Sequence, residues 1–282
     1  MGTDRQPTSH NWKVTGAPAG FLPETREGLW FRESWSLGQI IQTPDDLSRT
    51  DPIPDDVPYA AILAVQNAWI AYDDRDLHAF GWLFGMIGPA AQGEPVQKGF
   101  HSLVGSAEPM GWANQMPNEP VFNFYYVHKH KVARARWADL AVGMGASLGT
   151  VFTGGRATVE TRIGWNLPGG FVRLPDPVLF GLSLEAVTPE ANPRTAVYAS
   201  VAWRATALVY TVLTDGSLWQ DSPSVDREAL ISALLVGLHF ERPRWGVHFT
   251  WVFSTDSLDP TVVISEPDTT LDYGTLTLDF RY

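Results

Sequence analysis

TLTLDFRY, residues 275–282, is the stretch that decides the fold, because its side chains alternate between apolar and polar. Successive side chains of a strand face opposite sides, so Leu276, Leu278, Phe280 and Tyr282 share one face. A closing strand that places aromatic side chains on its apolar face, and ends in an aromatic residue, is typical of an outer-membrane β-barrel. The C-terminus therefore predicts a strand whose apolar face contacts lipid.

The same alternation recurs towards the N-terminus. Residues 244–254, RWGVHFTWVFS, place Trp245, Phe249 and Trp251 on one face, which is too aromatic for contact with water. In VFNFYYVHKH, residues 121–130, aromatic residues alternate with Asn123 and Tyr125. Periodicity predicts further strands at 10–16, 29–42, 59–73, 76–88, 134–146, 156–166, 198–213 and 226–240.

The connections between these strands are of two kinds. Tight ones are predicted at 72–76 and 241–244, and long ones rich in Pro, Asp, Ser and Gly at 17–28, 43–58, 89–118, 168–182 and 257–270. Short turns on one rim and long loops on the other are typical of a bacterial barrel. A soluble β-sandwich or lipocalin-like barrel is the alternative, but it does not need outward aromatic faces on so many strands. We expect one all-β domain, residues 1–282, forming a transmembrane antiparallel β-barrel.

Composition limits the function. The 282 residues include no cysteine, which excludes disulfides, thiol nucleophiles and cysteine metal sites. A net charge of −11 leaves no general basic surface, so nucleic acid is not expected as a partner. Apolar runs are shorter than the roughly 20 residues of a transmembrane helix. We see no signal peptide at the start of the chain.

Residues 86–119 contain a short helix pattern within a Gly/Pro-rich stretch. Pro95 suits the first helical position and Gly105 suits a left-handed cap, so a helix is predicted at about 95–104. Val96, Phe100 and Val104 fall on one face, which we expect to pack inward. Gln97 and His101 share the neighbouring stripe, which presents an amide and an imidazole together. His101 is then either a proton-transfer group or a structural histidine whose hydrogen bonds are satisfied.

Other residue groups give weaker signals. No H-E-x-x-H zinc spacing occurs in the sequence. His128 and His130 lie two apart on a predicted strand and so share a face; with the adjacent Lys129 and Lys131 we interpret them as a basic rim rather than a metal site. The acidic residues Asp45, Asp46, Asp55 and Asp56 are close in sequence but lack the spacing of an EF-hand loop.

At the level of whole segments, the chain resembles the outer-membrane lipid A 3′-O-deacylases. The matching segments occur in order along the chain: GTDR at 2–5, SLGQIIQTPDDL at 36–47, DDVPYA at 55–60, IGPAAQGEPVQKGFHSLVG at 87–105, GWANQMPNEP at 111–120, GTVFTGG at 149–155, RIGWNL at 162–167, DSPSVDRE at 221–228 and DYGTLTLDFRY at 272–282. The block around residues 87–105 is the most specific, because length, order and residue types all agree.

The resemblance implies a fold and a reaction. Family members are barrels of about twelve strands that hydrolyse the 3′-acyloxyacyl ester of lipid A and require Ca²⁺. The resemblance places the site inside the barrel near its outer rim, with His101 as the general base that activates water. It also implies lipopolysaccharide as substrate, the Gram-negative outer membrane as location, and a monomer. The calcium ligands stay unknown.

This chain departs from the family at its start. The family carries an Asn-Asp pair just ahead of the segment that matches residues 2–5, so we expect the pair and most of the first strand to be missing here. A family threonine falls on Thr8 by counting, or on Ser9 by the direction its side chain faces. A family basic residue, suited to a lipid A phosphate or the oxyanion, falls near Arg49. Gln97 is a candidate for orienting His101 or the water.

Three functions follow as hypotheses. The first is a Ca²⁺-dependent lipid A 3′-O-deacylase that acts through His101. The second is a non-catalytic barrel of the same family that binds lipopolysaccharide or is structural. The third is a pore, which is disfavoured because about twelve strands enclose little space.

Overall fold

A computed structural model describes residues 2–5, 29–171, 174, 194–255, 258 and 272–280. Within these residues, eleven strands form a single antiparallel sheet in chain order. They are β1 (Gly2–Arg5), β2 (Trp30–Gln42), β3 (Ala60–Tyr72), β4 (Asp76–Ile87), β5 (Glu119–Arg134), β6 (Ala138–Gly149), β7 (Phe152–Trp165), β8 (Ala196–Thr211), β9 (Leu230–Arg242), β10 (Trp245–Ser254) and β11 (Tyr273–Phe280). Thr8, Ser9 and the strand predicted at 10–16 lie outside the described residues.

Among the residues that the structure describes, the helices are few and short. They are α1 (Gly93–Val104) and α2 (Val212–Asp215), with 3-10 turns at Pro89–Ala91 and Trp112–Asn114. In the described part of the chain, no helix has the length and apolarity needed to cross a membrane.

The predicted alternation of β10 and β11 is confirmed. Leu276, Leu278 and Phe280 are exposed, whereas the residues between them are half-buried. On β10, Trp251 and Phe253 are exposed while the intervening side chains turn inward. Large apolar side chains on the outside and polar ones within reverse the arrangement of a water-soluble protein, as a lipid boundary requires.

Most strand limits agree with the periodicity to within a few residues, but the strand predicted at 134–146 is displaced. Its observed range is Ala138–Gly149, because the backbone N–H of Ala135 donates to the carbonyl of Ala138 at 2.7 Å and closes a turn there. Small residues dominate this stretch, so the hydrophobic pattern does not mark where the turn ends.

The two rims of the sheet differ. We call the end of the barrel with the tight connections 73–75, 135–137 and 243–244 the turn rim. The opposite end, which carries α1, is the helix rim. The prediction that every long connection shares one rim is wrong. Because the strands alternate in direction, the connection from β7 to β8 lies on the turn rim. Part of it enters the barrel: Phe171 is buried among inward side chains of β3, β4 and β5.

The barrel interior near the turn rim contains buried ion pairs. Arg162 donates to both carboxylate oxygens of Asp139 at 3.0 and 2.5 Å, and Lys131 approaches the same carboxylate at 3.0 Å. Lys129 lies 2.7 Å from Glu160. The prediction of a basic rim is therefore wrong, because both lysines point inward to carboxylates, on the opposite face of β5 from the histidines beside them.

Candidate active site on the outer wall

Helix α1 forms where the sequence predicts it, beginning two residues earlier than expected. It covers Gly93–Val104, and Gly105 ends it in the left-handed conformation, with φ of 72°. The backbone N–H of Ser106 donates to the carbonyl of His101 at 2.9 Å, which closes the C-terminal cap. Helix length and cap are thus set locally by the sequence.

The position of α1 relative to the barrel wall differs from the expectation. Even-numbered side chains of β3 fill the interior, so Ala61 and Leu63 face outward. These two pack with Ala91 and Trp112 in one apolar cluster. A Cβ on Gly93 would lie 2.4 Å from the Cβ of Ala61, so α1 contacts the outer surface of the wall. The prediction of a site inside the barrel is wrong for these residues.

The apolar face of α1 is also oriented differently from the prediction. Val96, Phe100 and Val104 are 48%, 60% and 56% exposed, and Leu103 is 83% exposed. The expected inward packing is therefore wrong. The medium around this wall explains it: a helix lying against a lipid-facing surface gains by turning its apolar face to lipid and its polar stripe to protein. Gln97 and His101 are both half-buried.

His101 has one ring nitrogen fixed. Its Nδ1 lies 2.5 Å from the backbone carbonyl oxygen of Ala107, just after the helix cap. A carbonyl oxygen can only accept, so Nδ1–H is the donor, and in the neutral ring Nε2 carries the lone pair. The ring is thus held as a proton acceptor at a partly exposed position, which is the arrangement a general base needs.

Gln97 has partners other than His101. Its Oε1 accepts from the indole N–H of Trp112 at 3.0 Å, and its Nε2 lies 3.5 Å from the hydroxyl of Thr43. Trp112 is 1% exposed, so this bond joins α1 to a fixed point under the helix. Ala107 therefore orients His101, whereas Gln97 anchors the helix. Sequence reasoning missed Trp112 and Ala107 as site residues; only the Gly-flanked tryptophan in the 111–120 block offered a signal.

The loop after β2 forms the other part of the site. Its backbone carbonyls accept hydrogen bonds from the loop after α1. The backbone N–H of Met110 donates to the carbonyl of Leu47 at 2.8 Å, and the side-chain amide of Asn114 donates to the carbonyl of Thr50 at 2.6 Å. The backbone oxygen of Arg49 lies 3.0 Å from where a Cβ on Gly111 would be, while the Arg49 side chain is exposed. Arg49 is therefore on a loop that is bonded to the loop following His101.

Two acidic residues of the β2–β3 loop have structural partners. Asp56 is 6% exposed and accepts N–H bonds from Asp45 and Val57 at 2.9 and 2.7 Å, yet burial raises the pKa of its carboxyl. Hydrogen bonds from Ser48, with a smaller contribution from the charge of Arg49, lower the pKa of Asp46. These carboxylates therefore shape and stabilise the loop.

The acidic residues near α1 are likewise paired. Lys98 lies 3.0 Å from Glu94 and 3.2 Å from Glu108, and these two carboxylates raise its pKa. Within the described ranges, no group of three acidic or histidine side chains within metal-binding distance includes His101.

Comparison with known proteins identifies the family. The profile described as "Outer membrane protein LpxR" matches residues 14–282. The chain belongs to the LpxR outer-membrane protein family. Among solved structures, LpxR from Salmonella typhimurium has the same fold, with a TM-score of 0.71 at 15% sequence identity, covering 90% of this chain and 88% of that one. Curated proteins gave no match. Family and fold agree with the resemblance inferred from the motifs.

Proposed function

We propose that this protein is a lipid A 3′-O-deacylase of the outer membrane and that His101 is its general base. The observation that carries the proposal is the hydrogen bond from His101 Nδ1–H to Ala107, which leaves Nε2 to accept a proton. Membership of the LpxR family supports the reaction class. The place of α1 on the outer wall supports a substrate that arrives from the lipid side.

The reaction is an ester hydrolysis. Nε2 of His101 takes a proton from water, and the resulting hydroxide attacks the carbonyl carbon of the 3′-acyl ester. The tetrahedral intermediate collapses with cleavage of the bond between that carbon and the sugar oxygen. The imidazolium returns its proton to the departing sugar oxygen, so the products are a free acyloxyacyl acid and a lipid A with a 3′-hydroxyl. The bond to Ala107 stabilises the imidazolium between the two transfers.

Lipid A brings apolar chains and anionic phosphates together, and the surface around α1 offers a partner for each. Val96, Phe100 and Leu103 present apolar area towards lipid. Arg49 carries an exposed guanidinium on the adjoining loop, and guanidinium binds phosphate through two parallel N–H groups. In this proposal acyl chains lie along the helix while a phosphate contacts Arg49. Thr8 and Ser9 stay predictions from the resemblance.

Calcium is part of the proposal on the strength of the resemblance alone. When bound, it would polarise the ester carbonyl. Its ligands are to be sought by experiment, because the carboxylates of Asp46, Asp56, Glu94 and Glu108 are engaged in loop hydrogen bonds and in the pairs with Lys98. The proton transfers of the proposed reaction involve His101, water and the sugar oxygen, and they do not require the metal.

The test is mass spectrometry of purified lipid A incubated with the folded protein, with calcium and with a chelator. The proposal predicts loss of the 3′-acyloxyacyl mass with calcium, and no loss with the chelator. Equal loss of the 3′-acyloxyacyl mass with calcium and with the chelator would refute the calcium requirement but would still support the hydrolase activity. Unchanged lipid A from a protein shown to be folded would refute the deacylase and favour the non-catalytic barrel.

A further inference from the structure

A cluster of histidines lies at the end of the barrel wall opposite to His101. Asp76 and His78 on β4 face His130 and His128 on β5 as direct cross-strand neighbours. All four side chains point outward, because Leu77, Ala79 and Val127 between them point into the barrel core. From Asp76 to the helix rim, β4 covers 12 residues, which is roughly 36 Å of strand. The cluster is therefore separate from His101.

The side chains of this cluster converge on one carboxylate. Oδ1 of Asp76 lies 2.8 Å from Nδ1 of His130 and 3.3 Å from Nε2 of His128. The rings of His78 and His128 are stacked, with centroids 4.3 Å apart and planes 10° from parallel. The hydroxyl of Tyr126 lies 2.7 Å from Nδ1 of His78 and fixes the orientation of that ring.

Three of these residues have the spacing of metal ligands. One donor atom from each of Asp76, His78 and His128 lies within 4.8 Å of the other two. Bonds of about 2.0–2.1 Å to zinc in a tetrahedron place donor atoms roughly 3.3–3.4 Å apart. The 3.3 Å between Asp76 and His128 already has this length. In the described part of the chain, no other group of three such side chains comes this close.

The chemistry of the donor atoms indicates which ion the cluster would bind. Two imidazoles and one carboxylate suit zinc, whereas calcium requires a shell of oxygen atoms. A phosphate is disfavoured, because the cluster is built around the Asp76 carboxylate. His130 and Tyr126 have the positions of outer-shell partners, His130 against the Asp76 oxygen and Tyr126 against His78.

We propose that Asp76, His78 and His128 bind one zinc ion, with water as the fourth ligand. The ion joins β4 to β5 beside the tight connection 73–75 and stabilises this corner of the barrel wall. Its role is structural and independent of ester hydrolysis. His130 and Tyr126 orient the ligands without contacting the metal.

The test uses the folded full-length chain in detergent, without a histidine tag and stripped of metal by a chelator. Zinc alone is titrated by calorimetry into the wild type, His78→Asn, His128→Asn, His130→Asn and, as a matched control, His101→Asn. We expect one zinc per chain in the wild type and in the control His101→Asn. Zinc binding should be at least 100-fold weaker in His78→Asn and His128→Asn, and about 10- to 100-fold weaker in His130→Asn. Cobalt(II) in place of zinc should give the visible absorption of a tetrahedral site.

Folding of each variant is checked by its heat-dependent migration on a gel, so that loss of binding is not confused with loss of the barrel. Zinc binding by folded His78→Asn and His128→Asn at wild-type affinity would overturn the proposal. A folded wild type that takes up no zinc at micromolar concentration would overturn it as well, as would loss of the zinc in His101→Asn alone.

Discussion

Gly93→Ala tests whether contact with the barrel wall positions α1, the helix that carries the proposed general base His101. The added Cβ would lie 2.4 Å from the Cβ of Ala61 and 2.6 Å from Cη2 of Trp112. Both neighbours are buried, so the start of α1 has to move outward by about 1 Å to restore an ordinary contact. Overpacking of this kind costs about 1–3 kcal/mol. A displacement of about 1 Å in a catalytic group lowers the rate about 100-fold.

The same helix supplies a matched control. A Cβ added at Gly99 meets no atom within 4 Å, so Gly99→Ala should leave activity unchanged and stabilise α1 by about 0.5–1 kcal/mol. Both variants are assayed for release of the 3′-acyl group by mass spectrometry, with gel migration as the check on folding. Full activity in Gly93→Ala would refute the reasoning, as would equal losses in the two variants.

Three further variants probe the anchor, the interior and the lipid-facing side. Trp112→Phe leaves Gln97 Oε1 without its donor, so we expect a loss of about 1–3 kcal/mol in local stability and reduced deacylation, measured by hydrogen exchange of α1 and by mass spectrometry. Asp139→Asn leaves Arg162 buried without its bidentate partner and should lower the free energy of unfolding by about 3–5 kcal/mol in urea titration. Leu103→Asp should raise KM for lipid A in vesicles while barrel stability stays unchanged, because this side chain is 83% exposed.

Each of these has an outcome that contradicts it. Unchanged exchange of α1 in Trp112→Phe would show that the indole does not anchor the helix. For Asp139→Asn, the half-buried pair of Glu94 and Lys98 offers the comparison. A cost no larger than that of Glu94→Gln would show that the fully buried pair contributes no more to stability than this one. An unaltered KM in Leu103→Asp would remove the apolar face of α1 from substrate binding.

The barrel strands and the limits of α1 were predictable because local patterns encode them. Strict alternation on β11 requires one face in lipid and one inside, and Gly105 ends α1 wherever the helix packs. The direction of the apolar face was not predictable, because amphipathicity shows that a helix has two faces but not which medium each one meets. Val96 and Phe100 give the same pattern in a water-soluble core and at a lipid boundary.

The partners of the site residues depend on contacts distant in sequence. The carbonyl that orients His101 comes from Ala107, and its position depends on the backbone path beyond the cap. Trp112 reaches Gln97 only because the chain folds back beneath the helix. In the same way, alternation on the predicted strand already separates Lys129 from His128, but the partner of the lysine, Glu160, lies on another strand and could not be read from the sequence.

The measurement that tests the account most directly compares wild type with His101→Ala on purified lipid A, in calcium, by mass spectrometry. Both proteins are first shown to be folded barrels, which is expected because His101 lies on the outer helix and belongs to none of the buried clusters of the wall. The account predicts that the wild type removes the 3′-acyloxyacyl group and that the variant leaves lipid A intact. Hydrolysis by His101→Ala at the wild-type rate would contradict it.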